Sequence, residues 1–277
     1  MEEALLRAVL FGTPILLAGL GALLAERSGV VNLGVEGMMA LAALTAFAAA
    51  QAYGPLPGVL AAFGVGALSG LFLGLFAVTL RANQFVAGLA VAALGLGASG
   101  LLGKRYEGLP LAHPLPEGGF ALLGAALALL VHLFLTRTRT GLFLRSAGEN
   151  PKAVDLFGVS VDGVRYLALG LGGGLIGLAG AYLSLAYRPS WTDGMTAGLG
   201  WVAIALVILA AWHPLRALLG AYFFGLLFFL QFRLQGSVPI ASEAFAAVPY
   251  LLVILVLALS GRSRAPKALG QPFERGR

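Results

Sequence analysis

Long apolar runs are the feature of this sequence that most restricts what the chain can fold into. Nine of them follow one another, at about residues 5–25, 30–53, 56–80, 85–103, 120–135, 167–187, 199–212, 215–234 and 244–260. A helix that crosses a bilayer needs about 20 mostly apolar residues. Only 11% of the residues are charged, against about 25% in a soluble domain. The runs predict an all-α integral membrane bundle of about nine transmembrane helices, within a range of eight to ten.

The distribution of charge orients this bundle. Residues 136–166 form the one long polar passage, and they carry five of the 18 Lys and Arg residues. Short basic loops stay on the cytoplasmic side. We therefore expect a cytoplasmic loop at about 137–165 and, by alternation, a cytoplasmic C-terminal tail at 261–277. Nine spans would place the N-terminus outside, and eight would place it inside. We expect residues 1–277 to form a single membrane domain.

The polar passage contains the signals of a short helix. Asn150 is a preferred N-cap, Pro151 suits the first helical position, and Gly158 suits the position past the end. These signals predict one helix within residues 147–157. Its mostly apolar face would consist of Ala153, Val154, Leu156 and Phe157. Such a helix outside the membrane suits a groove on another protein, and a solvated linker is the alternative.

A carboxylate stands within the second apolar run. This run opens as ERSGVVNLGVEGMM and so places Asn32, Gly34, Glu36 and Gly37 in membrane territory. The polar start predicts a broken or re-entrant second helix. A buried carboxylate is costly unless it faces water or a partner. Glu36 could contact substrate together with Asn32, one helical turn earlier; it could bond the amides of a broken helix or pair with Arg27; or it could carry protons.

Other polar and aromatic residues lie at predicted membrane boundaries. Asn83 and Gln84 precede the fourth run, where amide side chains commonly cap helices, with substrate contact as the alternative. Trp191, Asp193 and Trp201 flank a predicted external loop. Aromatic residues at this depth usually belong to an interfacial belt, although a tryptophan that faces a cavity would suit stacking on a base or sugar ring.

Two patterns concern the arrangement of the helices, one their packing and the other an internal repeat. Glycines recur every fourth position at 66, 70 and 74, and again at 170, 174, 173 and 177. Small residues at this spacing let helix backbones approach closely, either within this chain or against a second membrane subunit. The tripeptide Glu-Gly-Met at 36–38 also resembles Asp-Gly-Met at 193–195, which suggests repeated halves whose broken helices meet.

Several function classes are excluded or disfavoured. The chain has no cysteine, its three histidines are far apart in sequence, and no phosphate-binding loop of the expected spacing occurs. We therefore expect no metal, no catalytic residue and no cofactor in this chain. The net charge of +6 is spread over loops and tail rather than one face, which argues against a nucleic-acid partner.

Five segments together resemble the membrane-permease subunit of bacterial ABC importers, in the branch that carries nucleosides and simple sugars. They are SGVVNLGVEGMM, RANQFVAGLAV, RSAGENPKAVDLFGVSV, GMTAGLGWVAIALVILAAWHPLRALLGAYFFG and PKALGQPFERGR. The resemblance spans nearly the whole chain, with the motifs in the expected order. One departure is Ala92 and Ala93, where many relatives carry a polar residue.

The resemblance implies an importer-type permease of the inner membrane that supplies half of a pore. Partners would be a cytoplasmic ATPase that binds ATP and magnesium, a second and different permease chain, and a periplasmic or lipid-anchored binding protein. The ATPase would dock on Gly148, Glu149, Asn150, Pro151, Lys152, Ala153, Asp155, Phe157 and Gly158. The substrate path would include Asn32, Gly34, Glu36 and Gly37. Ribose-like sugars are the alternative to nucleosides as cargo. The alternatives to an importer subunit are an ion-coupled transporter that uses Glu36 and a membrane enzyme or scaffold.

Overall fold

The computed structural model describes residues 2–234 and 265–274, together with positions 251, 254, 255 and 258. Ten α-helices are defined within these residues. They are α1 Glu2–Arg27, α2 Val35–Tyr53, α3 Pro55–Gly74, α4 Gln84–Gly103, α5 Glu117–Arg137, α6 Arg139–Glu149, α7 Pro151–Leu156, α8 Val161–Tyr182, α9 Leu199–Leu209 and α10 Pro214–Leu234. Short π-helical turns extend α3 over Leu75–Thr79 and α8 over Leu183–Tyr187.

Seven of the nine predicted spans are confirmed in the described part of the chain, with shifts of their ends. Seven helices in the described part of the chain are long and apolar enough to cross a membrane, and they match the first six runs and the eighth. The seventh run forms α9, which has only 11 residues. The ninth run, at 244–260, lies almost wholly outside the described residues, so the count of about nine spans remains a prediction.

Helices α1 and α8 form the centre of the bundle. Ile15, Leu16 and Leu17 of α1 are fully buried, and the hydroxyl of Tyr182 in α8 donates a hydrogen bond to the carbonyl of Leu10 at 2.8 Å. The outer helices α3, α4 and α5 instead expose many leucines. A helix that is apolar on all sides belongs in a core or in lipid, so this division separates central from lipid-facing helices.

The glycine repeats pack α3 against α8 within the same chain. A Cβ atom added at Gly66 would collide with the backbone at Gly173, and one added at Gly173 would collide with Gly66. Gly70 meets the carbonyl of Leu169 in the same way. The prediction of close helix packing is confirmed, and these glycines face a helix of their own chain rather than a second subunit.

The polar passage folds into two helices, so the prediction of one helix over residues 147–157 is wrong. Residues 147–149 end α6, and Asn150 then breaks the chain direction with φ −149° and caps α7. Its side chain accepts a hydrogen bond from the Ala153 amide at 3.2 Å, as predicted for an N-cap. The predicted apolar face is also wrong, because Val154 points into the bundle while Leu156 and Phe157 point outward.

A tight corner joins α9 to α10. Ala211 and Trp212 both have positive φ, and Pro214 begins α10. The Trp212 indole donates to Glu26 at 2.6 Å, and the Trp212 carbonyl accepts from Arg27 Nε at 2.9 Å. The corner is thereby fixed to the end of α1, which also removes Arg27 as the predicted partner of Glu36.

Candidate functional site

The carboxyl group of Glu36 joins α2 to the start of α9. Glu36 is 4% exposed, and its Oε1 accepts hydrogen bonds from the Thr196 hydroxyl at 2.6 Å and the Gly198 amide at 2.9 Å. Its Oε2 accepts from the Gly200 amide at 2.6 Å. The first amides of a helix lack partners within the helix, and the helix dipole favours negative charge there. Glu36 therefore caps α9 from another helix.

This junction lies near the middle of the bundle. A Cβ added at Gly37 would collide with the backbone at Ala92 of α4, and one added at Gly95 of α4 would collide with the backbone at Gly37. Both contacts are halfway along α4, which spans residues 84–103. Gly200 is equally restricted, because its Cβ would lie 2.6 Å from the Cα atom of Glu36. The starts of α2 and α9 therefore meet where α2 packs on the middle of α4. Many transporters place the breaks of interrupted helices together around their substrate.

The segment at residues 28–34, between α1 and α2, is buried and not helical. The break that the sequence predicted thus precedes α2, which is itself continuous, and Asn32 does not share a helical face with Glu36. Its Oδ1 instead accepts from the Gly34 amide at 3.0 Å. The 28–34 segment is held from outside by Gln84, which accepts from the Val31 amide at 2.8 Å, and by Arg165, which donates to the Ser28 carbonyl at 3.3 Å.

The remaining predicted residues lie beside α4 or within α9. Asn83 is the N-cap of α4 and accepts from the amides of Phe85 and Val86, which confirms the capping interpretation for this residue. The same interpretation is wrong for Gln84, whose side chain accepts from the Val31 amide instead. Trp191 is 1% exposed and packs against Gly103, so its assignment to an interfacial belt is wrong. Asp193 is exposed beside Gly100 of α4, and Trp201 of α9 is 40% exposed.

The residues predicted to couple to an ATPase lie at the end of α6, in α7 and at the two positions that follow α7. Gly148 is buried against the carbonyl of Arg27, whereas Glu149 and Lys152 are exposed. Leu156 and Phe157 are 88% and 80% exposed. Gly158 ends α7 with φ +75°, a conformation that favours glycine.

Sequence reasoning missed the partners that the fold brings from far along the chain. Thr196 and Gly200 are about 160 residues from Glu36, and no local pattern marks them. The rings of His132 and His213 lie 5.1 Å apart, although the sequence separates them. Burial lowers the pKa of His213, and the nearby His132 and arginines lower it further. The distance of these two histidines in sequence therefore did not show that they lie side by side in the fold.

Comparison with known proteins identifies the family. Residues 4–257 match the family described as the permease component of the branched-chain amino acid transport system. The chain belongs to this permease family. The guanosine ABC transporter permease protein of Bacillus subtilis is 32% identical over 97% of this chain and 95% of its own length. The nucleoside ABC transporter permease protein of Lactococcus lactis is 31% identical over 95% and 93%.

Sugar permeases are also among the relatives. A protein of Haloferax volcanii, provisionally named a glucose ABC transporter permease, is 38% identical over 95% of this permease and 94% of its own length. An inward-facing structure provisionally assigned to a metal-chelate type ABC transporter shares the fold, with a TM-score of 0.56 at 18% identity over 92% of this chain and 85% of that one. The permease is thus a multi-pass membrane component of an ABC transporter of the nucleoside and sugar branch.

Proposed function

We propose that this permease is the membrane subunit of an ATP-driven importer of nucleosides, of which it forms half of the pore. The two relatives named for guanosine and nucleosides support this cargo. The relative named for glucose makes simple sugars the alternative. The chain would hold no cofactor of its own, since ATP and magnesium would bind to the separate ATPase.

The exposed end of α7 is the observation that carries the coupling role. Leu156 and Phe157 are almost fully exposed, although both are large and apolar. They stand next to each other at the end of a helix that Asn150 caps, and Glu149 and Lys152 flank them with charge. An apolar projection with a charged rim suits a groove on a protein partner. We assign this partner as the cytoplasmic ATPase.

The proposed substrate path follows α2 and two helices that pack on it, α4 and α9. The exposed Asn83, Asp193 and Trp201 would contact cargo, and the Trp201 ring would stack on a nucleobase. The buried Asn32, Gly34, Glu36, Gly37, Gln84 and Trp191 would shape the path. A second, different permease chain would complete the pore, and a binding protein would deliver cargo from outside to the inner membrane. The central loop and the C-terminus would both be cytoplasmic.

Reconstitution tests this proposal. We expect proteoliposomes that contain this permease, its partner permease and the ATPase to take up labelled guanosine when ATP and the binding protein are both present. Ribose and glucose as competitors would separate the two cargo classes. Uptake that does not depend on the ATPase would refute the proposal.

An ion-coupled transporter is the second candidate, with Glu36 as its proton carrier. Both carboxyl oxygens of Glu36 already accept hydrogen bonds, and two of the three donors are backbone amides that cannot rearrange freely. A proton carrier has to exchange with water or a relay, so this geometry favours an anchor. Uptake by the permease alone under a proton gradient would reverse that conclusion.

A further inference from the structure

Residues 265–274 pack against the end of α6 and the first residues of the 28–34 segment. The Ala268 amide donates to the Gly148 carbonyl at 2.8 Å, and the Gly270 amide donates to the Gly29 carbonyl at 3.0 Å. Gly148 belongs to the end of α6, next to the proposed ATPase contact. These ten residues, which we call the strap, thus bind two separate parts of the chain through two successive turns.

The strap has a defined shape of its own. The Leu269 amide donates to the Pro266 carbonyl at 3.1 Å, and the Gln271 amide donates to the Ala268 carbonyl at 3.1 Å. Gly270 takes φ +79°, which L side chains rarely adopt. These turns point the amides of Ala268 and Gly270 at their two acceptors. The strap is therefore ordered by local hydrogen bonds as well as by its contacts.

Further contacts fix the far end of the strap. Glu274 forms an ion pair with Arg81 at 3.7 Å, between α3 and α4. Phe273 packs against the core and lines a cavity of about 190 Å³ with Arg81, Asp155 and Asp162. The strap consequently touches α6, the 28–34 segment, the α3–α4 turn and the residues that join α7 to α8.

We propose that the strap is a positioning element that fixes α6 and α7 to the 28–34 segment, so that a displacement of α7 reaches α2. The 28–34 segment leads directly into α2, where Glu36 holds the start of α9. Gly148 and Gly29 also lie against each other, since a Cβ on Gly29 would be 3.4 Å from the Gly148 Cα. A push on α7 would thus reach the middle of the bundle through short, buried links. This inference rests on the proposed coupling of α7 to an ATPase.

Ala268→Pro tests the strap, because proline has no amide hydrogen to donate to Gly148. Lys267→Pro is the matched control, since the exposed Lys267 is the second residue of the Pro266–Leu269 turn, where proline is favoured. Hydrogen exchange of residues 148–158 is measured on the permease in lipid nanodiscs. We expect Ala268→Pro to speed exchange about fivefold, the factor that corresponds to one backbone hydrogen bond, and Lys267→Pro to leave it unchanged.

The second measurement is the ratio of substrate-stimulated to basal ATP turnover in the reconstituted complex. We expect Ala268→Pro to lower this ratio several-fold and Lys267→Pro to keep it. If Ala268→Pro does not fold, Gly270→Val replaces it, because valine is strained at φ +79°. Unchanged exchange or an unchanged ratio would overturn the proposal. If the wild-type complex shows no ATP-driven uptake, the proposed function fails, whereas the exchange rates still report whether the strap fixes α7.

Discussion

Replacing Glu36 with glutamine tests whether this residue is primarily an anchor. Glutamine keeps the size of the side chain but offers one oxygen and one NH2 group. The structure directs the Gly198 amide at one carboxyl oxygen and the Gly200 amide at the other. In either orientation of the new side chain, one of these amides faces a donor. Glu36→Gln therefore leaves at least one backbone N–H without an acceptor in a buried place.

The magnitude follows from that count. A buried donor without a partner costs about 1–3 kcal/mol. For a chain of this size, roughly 2–4 °C of melting temperature corresponds to each kcal/mol. We therefore expect Glu36→Gln to lower the melting temperature of the purified permease by about 2–12 °C, as measured by thermal unfolding in detergent.

A control variant separates the stabilising effect of the two amide hydrogen bonds from that of the hydroxyl hydrogen bond. Thr196→Val removes the third donor but leaves both amides with their acceptors, so we expect a loss of about 1 kcal/mol or less. A melting temperature that Glu36→Gln leaves within about 1 °C of wild type, combined with lost uptake, would refute the anchoring role. Glu36 would then act on substrate or protons.

Three further outcomes are expected. Asn150→Ala should free the start of α7 and lower the free energy of unfolding by about 1 kcal/mol. It should reduce the amount of ATPase that co-purifies, while the permease itself stays folded. Gly66→Ala should destabilise the α3–α8 contact by about 1–3 kcal/mol, whereas Gly64→Ala, with open space around it, should not; equal melting temperatures would contradict this packing. Since the pKa of His213 lies below its ordinary value of 6.5, the unfolded chain binds the proton more readily, so stability should fall as the pH drops below about 6.5. His213→Gln should reduce the dependence of the melting temperature on pH between pH 5 and 8. An unchanged dependence would show that His213 is not its source.

Much of the fold could be predicted because hydropathy is a local property. Each apolar run has to become a helix in lipid, since its backbone finds no other hydrogen-bond partners there. The caps at Asn83 and Asn150 were predictable for the same reason, because a capping side chain bonds an amide two or three residues away. The start of this helix was not predictable, because the sequence does not show that residues 147–149 continue α6.

The sequence by itself determined that this protein is a helical membrane bundle with one polar loop and close glycine contacts. Only the tertiary structure decided that Glu36 caps α9, that Trp191 is buried, and that residues 265–274 bind Gly148 and Gly29. The physical reason is distance along the chain. Hydropathy and capping act over a few residues, whereas a buried polar group is satisfied by whichever donor the packing of the helices brings to it.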